Sequence, residues 1–144
     1  MDLKEIMNQA ERDLQVDPTE LDIASLNIPQ LHNKYLNYLR SETMVYKRLR
    51  AEYKRLYRVK WEYYTGKLDQ ERLEELGWEP FQLHILKQDI DKYLDSDDDL
   101  ITARSKMEYC EEKMKHLEEI LKNINNLQWN IKNAIEWKKF VSGQ

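Results

Sequence analysis

The sequence predicts an all-α fold of long helices, and three observations carry that prediction. The 144 residues contain only three glycines and three prolines, too few for the turns of a many-stranded protein. Apolar residues recur at helical spacing through most of the chain. The last 40 or so residues carry an apolar heptad repeat, which predicts a C-terminal helix resembling a coiled-coil strand.

In chain order, Leu3, Ile6, Met7, Ala10 and Leu14 lie on one face of a short amphipathic helix. Asp17-Pro18-Thr19-Glu20 is a turn or helix-start signal, and Asn27-Ile28-Pro29 repeats it. A long helix is therefore expected over residues 30–65, with Gly66 as the left-handed residue that ends it. Residues 67–80 read as a short helical excursion with Leu73 and Leu76 on its apolar side and Gly77 at its end. Residues 81–94 mix a strand-like alternation (Phe81, Leu83, Ile85) with a helical one (Leu86, Ile90, Tyr93, Leu94), and helix is the expectation. The acidic run Asp95-Ser96-Asp97-Asp98-Asp99 caps the final helix, expected over residues 98–140. The chain is expected to divide into an N-terminal helical region, 1–97, and a C-terminal helix, 98–144, within one structural domain.

Composition narrows the classes further. Charged residues make up 35% of the chain, above the roughly 25% of an average domain. No run of 18 apolar residues offers a membrane span, and the acidic N-terminus lacks the apolar segment of a secretory signal. The single cysteine, Cys110, precludes an intramolecular disulfide and suits a reducing cytosol. It falls at a heptad core position without zinc-ligand partners nearby.

Charge is segregated. The formal net charge is −4, yet residues 31–67 hold ten basic and three acidic groups. Residues 1–30 and 68–144 are both acidic, and segments 1–30 and 69–99 are candidate protein-contact surfaces on charge alone. At 100° per residue, Arg40, Lys47, Arg50, Lys54 and Arg58 fall within an arc of roughly 80°, with Trp61 inside it and Arg48 and Arg55 widening it. The opposite face carries Leu31, Tyr35, Tyr38, Val45, Leu49, Leu56 and Tyr63. Cations one turn apart match a row of phosphates, and an interleaved aromatic ring offers a surface for an unstacked base. The combination favours single strands, whose bases expose their faces, and binding without sequence preference. A solvated helix face would instead mix both signs at i,i+4. Here only Glu42 and Glu52 interrupt the run between Arg40 and Lys60.

The last helix places Leu100, Met107, Met114, Leu121, Gln128 and Ile135 at a, and Ala103, Cys110, Leu117, Ile124, Ile131 and Lys138 at d. From Ile120 onward the g positions Leu127, Ala134 and Val141 are apolar too, and Trp137 and Phe140 add bulk. A helix this apolar must be covered. Homo-oligomerisation above the dimer is expected through Leu117, Ile120, Leu121, Ile124, Leu127, Ile131, Ala134, Ile135, Trp137, Phe140 and Val141. The alternative is packing inside one chain against the helix over 30–65.

Catalytic signatures are missing. The glycines are too scattered for a phosphate loop. No histidine follows a glutamate at i−3, as a di-iron bundle requires. Asp95, Asp97 and Asp99 mimic the start of a calcium loop, but the sixth position is Leu100 and the twelfth Lys106. No metal, cofactor or enzymatic activity is expected.

Two segments resemble one small family. Arg58-Val59-Lys60-Trp61-Glu62-Tyr63-Tyr64-Thr65-Gly66 and the tail from Ile131 to Gly143 are similar to the UvsY-like recombination mediators of T4-like phages. The likeness runs from about residue 30 to the end. It implies an all-helical subunit in a ring-like homo-oligomer closed by its C-terminal region, in the cytoplasm of an infected host cell. It implies non-specific binding of single-stranded DNA, contacts with a RecA-like recombinase and a single-strand-binding protein, and loading of the first onto DNA covered by the second. It also carries over a pair of DNA-contacting basic residues, Arg58 and Lys60. On the helical wheel Lys60 lies away from the cationic arc, nearer the tyrosines. The rival readings are a coiled-coil adaptor without nucleic-acid function and a membrane-surface helix, the latter opposed by the tyrosine-rich face that a folded core claims.

Overall fold

Residues 1–143 are described by the computed structural model, and every regular element among them is helical. The order is α1 (Leu3–Asp13), α2 (Leu21–Tyr64), α3 (Gln70–Leu76), a 3-10 turn (Lys87–Asp89), α4 (Ile90–Asp95) and α5 (Asp98–Val141). No helix is long and apolar enough to cross a membrane among the described residues.

The chain forms two compact units, one made of Met1–Val45 and the segment from Cys110 onward, the other of Tyr46–Tyr109. Each takes part of α2 and part of α5. The units therefore do not follow the division at residue 97, which is one of proposed role.

In the first unit, α1 is closed by a capping box in which Asp2 and Glu5 satisfy each other's backbone N–H groups. Its Ile6 and Ala10 pack with Ile28 and Tyr35 of α2 and with Leu117, Ile120, Ile124 and Ile131 of α5. The buried Tyr35 hydroxyl donates to Asp13 Oδ2 at 2.7 Å, and Lys34 Nζ reaches the same oxygen at 2.6 Å. Burial opposes the Asp13 charge, yet these two hydrogen bonds and the Lys34 cation hold its carboxyl below the usual range. Glu42 meets Lys113 at 3.0 Å and takes hydrogen bonds from the Cys110 thiol. Burial and Glu42 push that thiol up to about 11, so Cys110 is a protected core residue, as its heptad position suggests.

Two expectations fail here. The long helix does not start after Pro29: it begins at Leu21 and carries Pro29 inside it. The ring removes one i→i−4 hydrogen bond. The cost is met because Leu21, Ala24, Ile28 and Leu31 all bury surface against the unit's core. Residues 81–94 are also not one helix. After Pro80 the chain stays irregular to residue 86, and only the 3-10 turn and α4 are helical. Phe81 is claimed by a ring cluster with Tyr64, Tyr63 and Tyr93, centroids 5.0–5.7 Å apart, and that contact outweighs local propensity.

The other punctuation holds. Gly66 and Gly77 both adopt φ near 71°, and each closes the helix before it. Asp69 caps α3, and the Asp97 carboxylate accepts the Leu100 N–H at 3.0 Å to cap α5.

The proposed oligomerisation residues split in two. Leu117, Ile120, Ile124 and Ile131 are buried within the first unit, and Leu121, Leu127, Ala134 and Ile135 are partly covered there. Trp137, Phe140 and Val141 are not: they are 65, 73 and 66% exposed. The heptad stripe is thus largely consumed by intramolecular packing, and the aromatic end of α5 is left over.

Candidate nucleic-acid interface

Within the second unit, residues 46–64 of α2 display their cations to solvent. Lys47, Arg48, Arg50, Lys54, Arg55 and Arg58 are all exposed. The helix holds them on this side because Leu49, Tyr53, Leu56, Val59, Tyr63 and Tyr64 on its other faces are partly buried. Arg40 is exposed as well, on the part of α2 that belongs to the first unit.

Several of these cations have local partners. Arg50 lies over the Tyr46 ring, 5.9 Å from its centre. Arg48 pairs loosely with Glu52 at 3.9 Å, and Arg58 with Glu62 at 3.3 Å. Both are exposed i,i+4 pairs and are weak enough to exchange for a phosphate. Trp61 is 37% exposed, and Lys67 Nζ sits 4.2 Å from its ring centre. Lys67 lies beyond the helix, past Gly66, so the wheel has no place for it. The left-handed glycine is the turn that brings it back beside the tryptophan.

Lys60 is set apart. Its side chain is only 8% exposed and is paired with Asp97 Oδ2 at 3.1 Å and Asp99 Oδ2 at 2.8 Å. Burial disfavours its charge, but the hydrogen bonds to Asp99 and Asp97 prevail and raise its pKa. Tyr64 donates to the same Asp97 oxygen at 2.6 Å, and burial together with that carboxylate pushes its phenol well above the usual range. These partners lie more than 30 residues from Lys60 in sequence, so no local spacing announces them. Two of the three carboxylates that mimic a calcium loop, Asp97 and Asp99, are therefore engaged by a lysine, a tyrosine and a backbone amide. Among the described residues no group of three or more His, Cys, Asp or Glu is placed to hold a metal ion.

The described residues thus define an all-helical protein with a cationic face on one helix, flanked by aromatic rings. A family model described as the recombination, repair and ssDNA binding protein UvsY matches residues 9–144. The chain belongs to the UvsY family. Crystal structures of the bacteriophage T4 recombination mediator protein UvsY share its fold. In one lattice the TM-score is 0.88 at 21% identity, covering 99% of this chain and 98% of the other. In a second it is 0.88 at 21%, covering 97% and 99%. In a third it is 0.84 at 20%, covering 94% and 98%. No curated protein sequence matches the chain significantly.

Proposed function

We propose that this protein binds single-stranded DNA without sequence preference and acts as a recombination mediator. In this reading it helps load a RecA-like recombinase onto strand covered by a single-strand-binding protein. The observation that carries it is the exposed row Lys47, Arg48, Arg50, Lys54, Arg55 and Arg58 on one helix of a UvsY-family chain whose overall charge is negative. The net charge of −4 would repel a polyanion from most of the molecule, so attraction must be local to that row. Trp61 supplies a ring for a base, and Lys67 then shifts from the ring to a phosphate.

One helix neutralises few phosphates, so affinity in this reading comes from repetition around a homo-oligomer above the dimer. Its contacts run through Trp137, Phe140 and Val141, with the partly covered Leu121, Leu127, Ala134 and Ile135 beside them. The core residues Leu117, Ile120, Ile124 and Ile131 support that surface from within the subunit. The mediator step is then physical: a strand held along several basic helices is bent away from its covering protein and offered to the recombinase.

Salt titration of binding to oligothymidylate tests this reading. The wild-type protein binds with a linear log–log salt dependence. In a Lys47→Ala, Arg50→Ala, Arg58→Ala variant the slope per subunit falls by about 2, at roughly 0.7 per single-strand phosphate contact. No binding by the wild type at low salt would overturn it. A smaller effect of opposite sign is expected for Glu62→Gln. Releasing Arg58 from its pair raises affinity about two- to fivefold, the range of an exposed ion pair. A fall in affinity would show that the pair presents Arg58 rather than restrains it.

A further inference from the structure

The basic residue that the sequence places beside Arg58 is built into the structure differently from every other cation of the run. An ammonium has three protons to donate. Those of Lys60 face Asp97 at 3.1 Å, Asp99 at 2.8 Å and the ring of Trp78, whose centre lies 4.2 Å from Nζ. Nothing on this nitrogen is left for a phosphate. The group is also shared: Asp97 takes the Tyr64 hydroxyl and the Leu100 N–H, and Tyr63, whose ring packs on Trp78, donates to the Glu79 carbonyl at 2.6 Å. Lys60 is thereby joined to the last turn of α2, to the irregular segment after α3 and to the cap of α5, all within the second unit. Pulling it out to meet DNA would strand Asp97, a buried carboxylate, without its cation.

We infer that Lys60 is a positioning residue for single-strand binding: it clasps the end of α2 to Asp97, Asp99 and Trp78 so that Arg58, Trp61 and Lys67 are held for the strand, and it makes no phosphate contact itself. Arg58 on the outer face and Lys60 on the inner face divide the work of the pair. Neighbours in sequence separated by 200° around a helix cannot share one ligand. The inference rests on the DNA-binding reading above and deepens it.

Two charge-removing variants separate the two roles, by the salt slope in one and by the sign of the affinity change in the other. Lys60→Met and Asp97→Asn are each titrated against oligothymidylate over a range of salt, with circular dichroism confirming the fold. A positioning role predicts that both weaken binding several-fold with the salt slope unchanged, and that Lys60→Arg restores much of the affinity. A phosphate-contacting lysine predicts a slope loss of about 0.7 in Lys60→Met and tighter binding in Asp97→Asn, where the cation is released. Either result overturns the inference, and so does unchanged affinity in both folded variants.

Amine acylation of the wild-type protein, read by peptide mass spectrometry, does not depend on the variants folding. Lys60 should be protected with and without DNA, whereas Lys47, Lys54 and Lys67 should react freely and become protected only by the strand. A Lys60 that is reactive alone and shielded by DNA would refute the positioning role. Failure of DNA to shield any of Lys47, Lys54 and Lys67 would instead count against DNA binding by this face, and the inference would fall with it.

Discussion

Replacing Ile124 by alanine lowers the unfolding free energy by about 2–5 kcal/mol, the range for emptying a fully buried aliphatic position. Ile124 is 0% exposed and sits in the cluster where α1, α2 and α5 meet in the first unit, with Ile6, Tyr35, Leu117 and Ile120 around it. The neighbours are held by their own helices, so the space left by the lost side chain closes only in part. The same deletion at Leu127, a partly covered position three residues on, costs less because less surface returns to water. Urea unfolding separates the outcomes: the midpoint should fall sharply for Ile124→Ala with little change in the denaturant slope. A cost as small as that of Leu127→Ala would mean that α5 is not covered from within its own chain here.

The second large effect is expected at the end of the same helix. A Trp137→Glu, Phe140→Glu variant should keep its helical content and lose the homo-oligomeric assembly proposed above. The two rings stack on each other at 5.7 Å and contribute nothing to the first unit's buried cluster. Their burial in a homo-oligomer would be driven by apolar and aromatic area, and a carboxylate at each position opposes it. Native mass should fall to that of a single 17.6 kDa chain. Affinity for long single strands should drop by about 10²–10⁴, the gain that linked sites provide, while binding to a strand short enough for one subunit stays close to wild type. An unchanged native mass would move the subunit contacts elsewhere on the chain. A lower mass with unchanged long-strand affinity would remove multivalency from the mechanism.

Much of the fold was legible because helix signals are local. The 3.6-residue spacing of apolar residues, the glycines at 66 and 77 and the acidic run before α5 each act within a few residues of themselves. Pro29 was misread because its local penalty is real, but the burial of Ile28 and Leu31 that offsets it comes from α1 and α5. Residues 81–86 were misread because the partners of Phe81 are Tyr63, Tyr64 and Tyr93, supplied by two other elements.

The cationic face shows the same boundary. That Lys47, Arg48, Arg50, Lys54, Arg55 and Arg58 point outward follows from the 100° step and the apolar residues opposite them, and the sequence alone determines it. It also determines that Lys60 points the other way. What awaits Lys60 there, Asp97, Asp99 and Trp78, was decided only by tertiary structure, since an ion pair across more than 30 residues leaves no periodic trace. The heptads of α5 divide likewise. Their pattern determines that this helix must be covered. Which residues its own chain covers, and that Trp137 and Phe140 remain exposed, depends on where α1 and α2 end against it, which no spacing within α5 encodes.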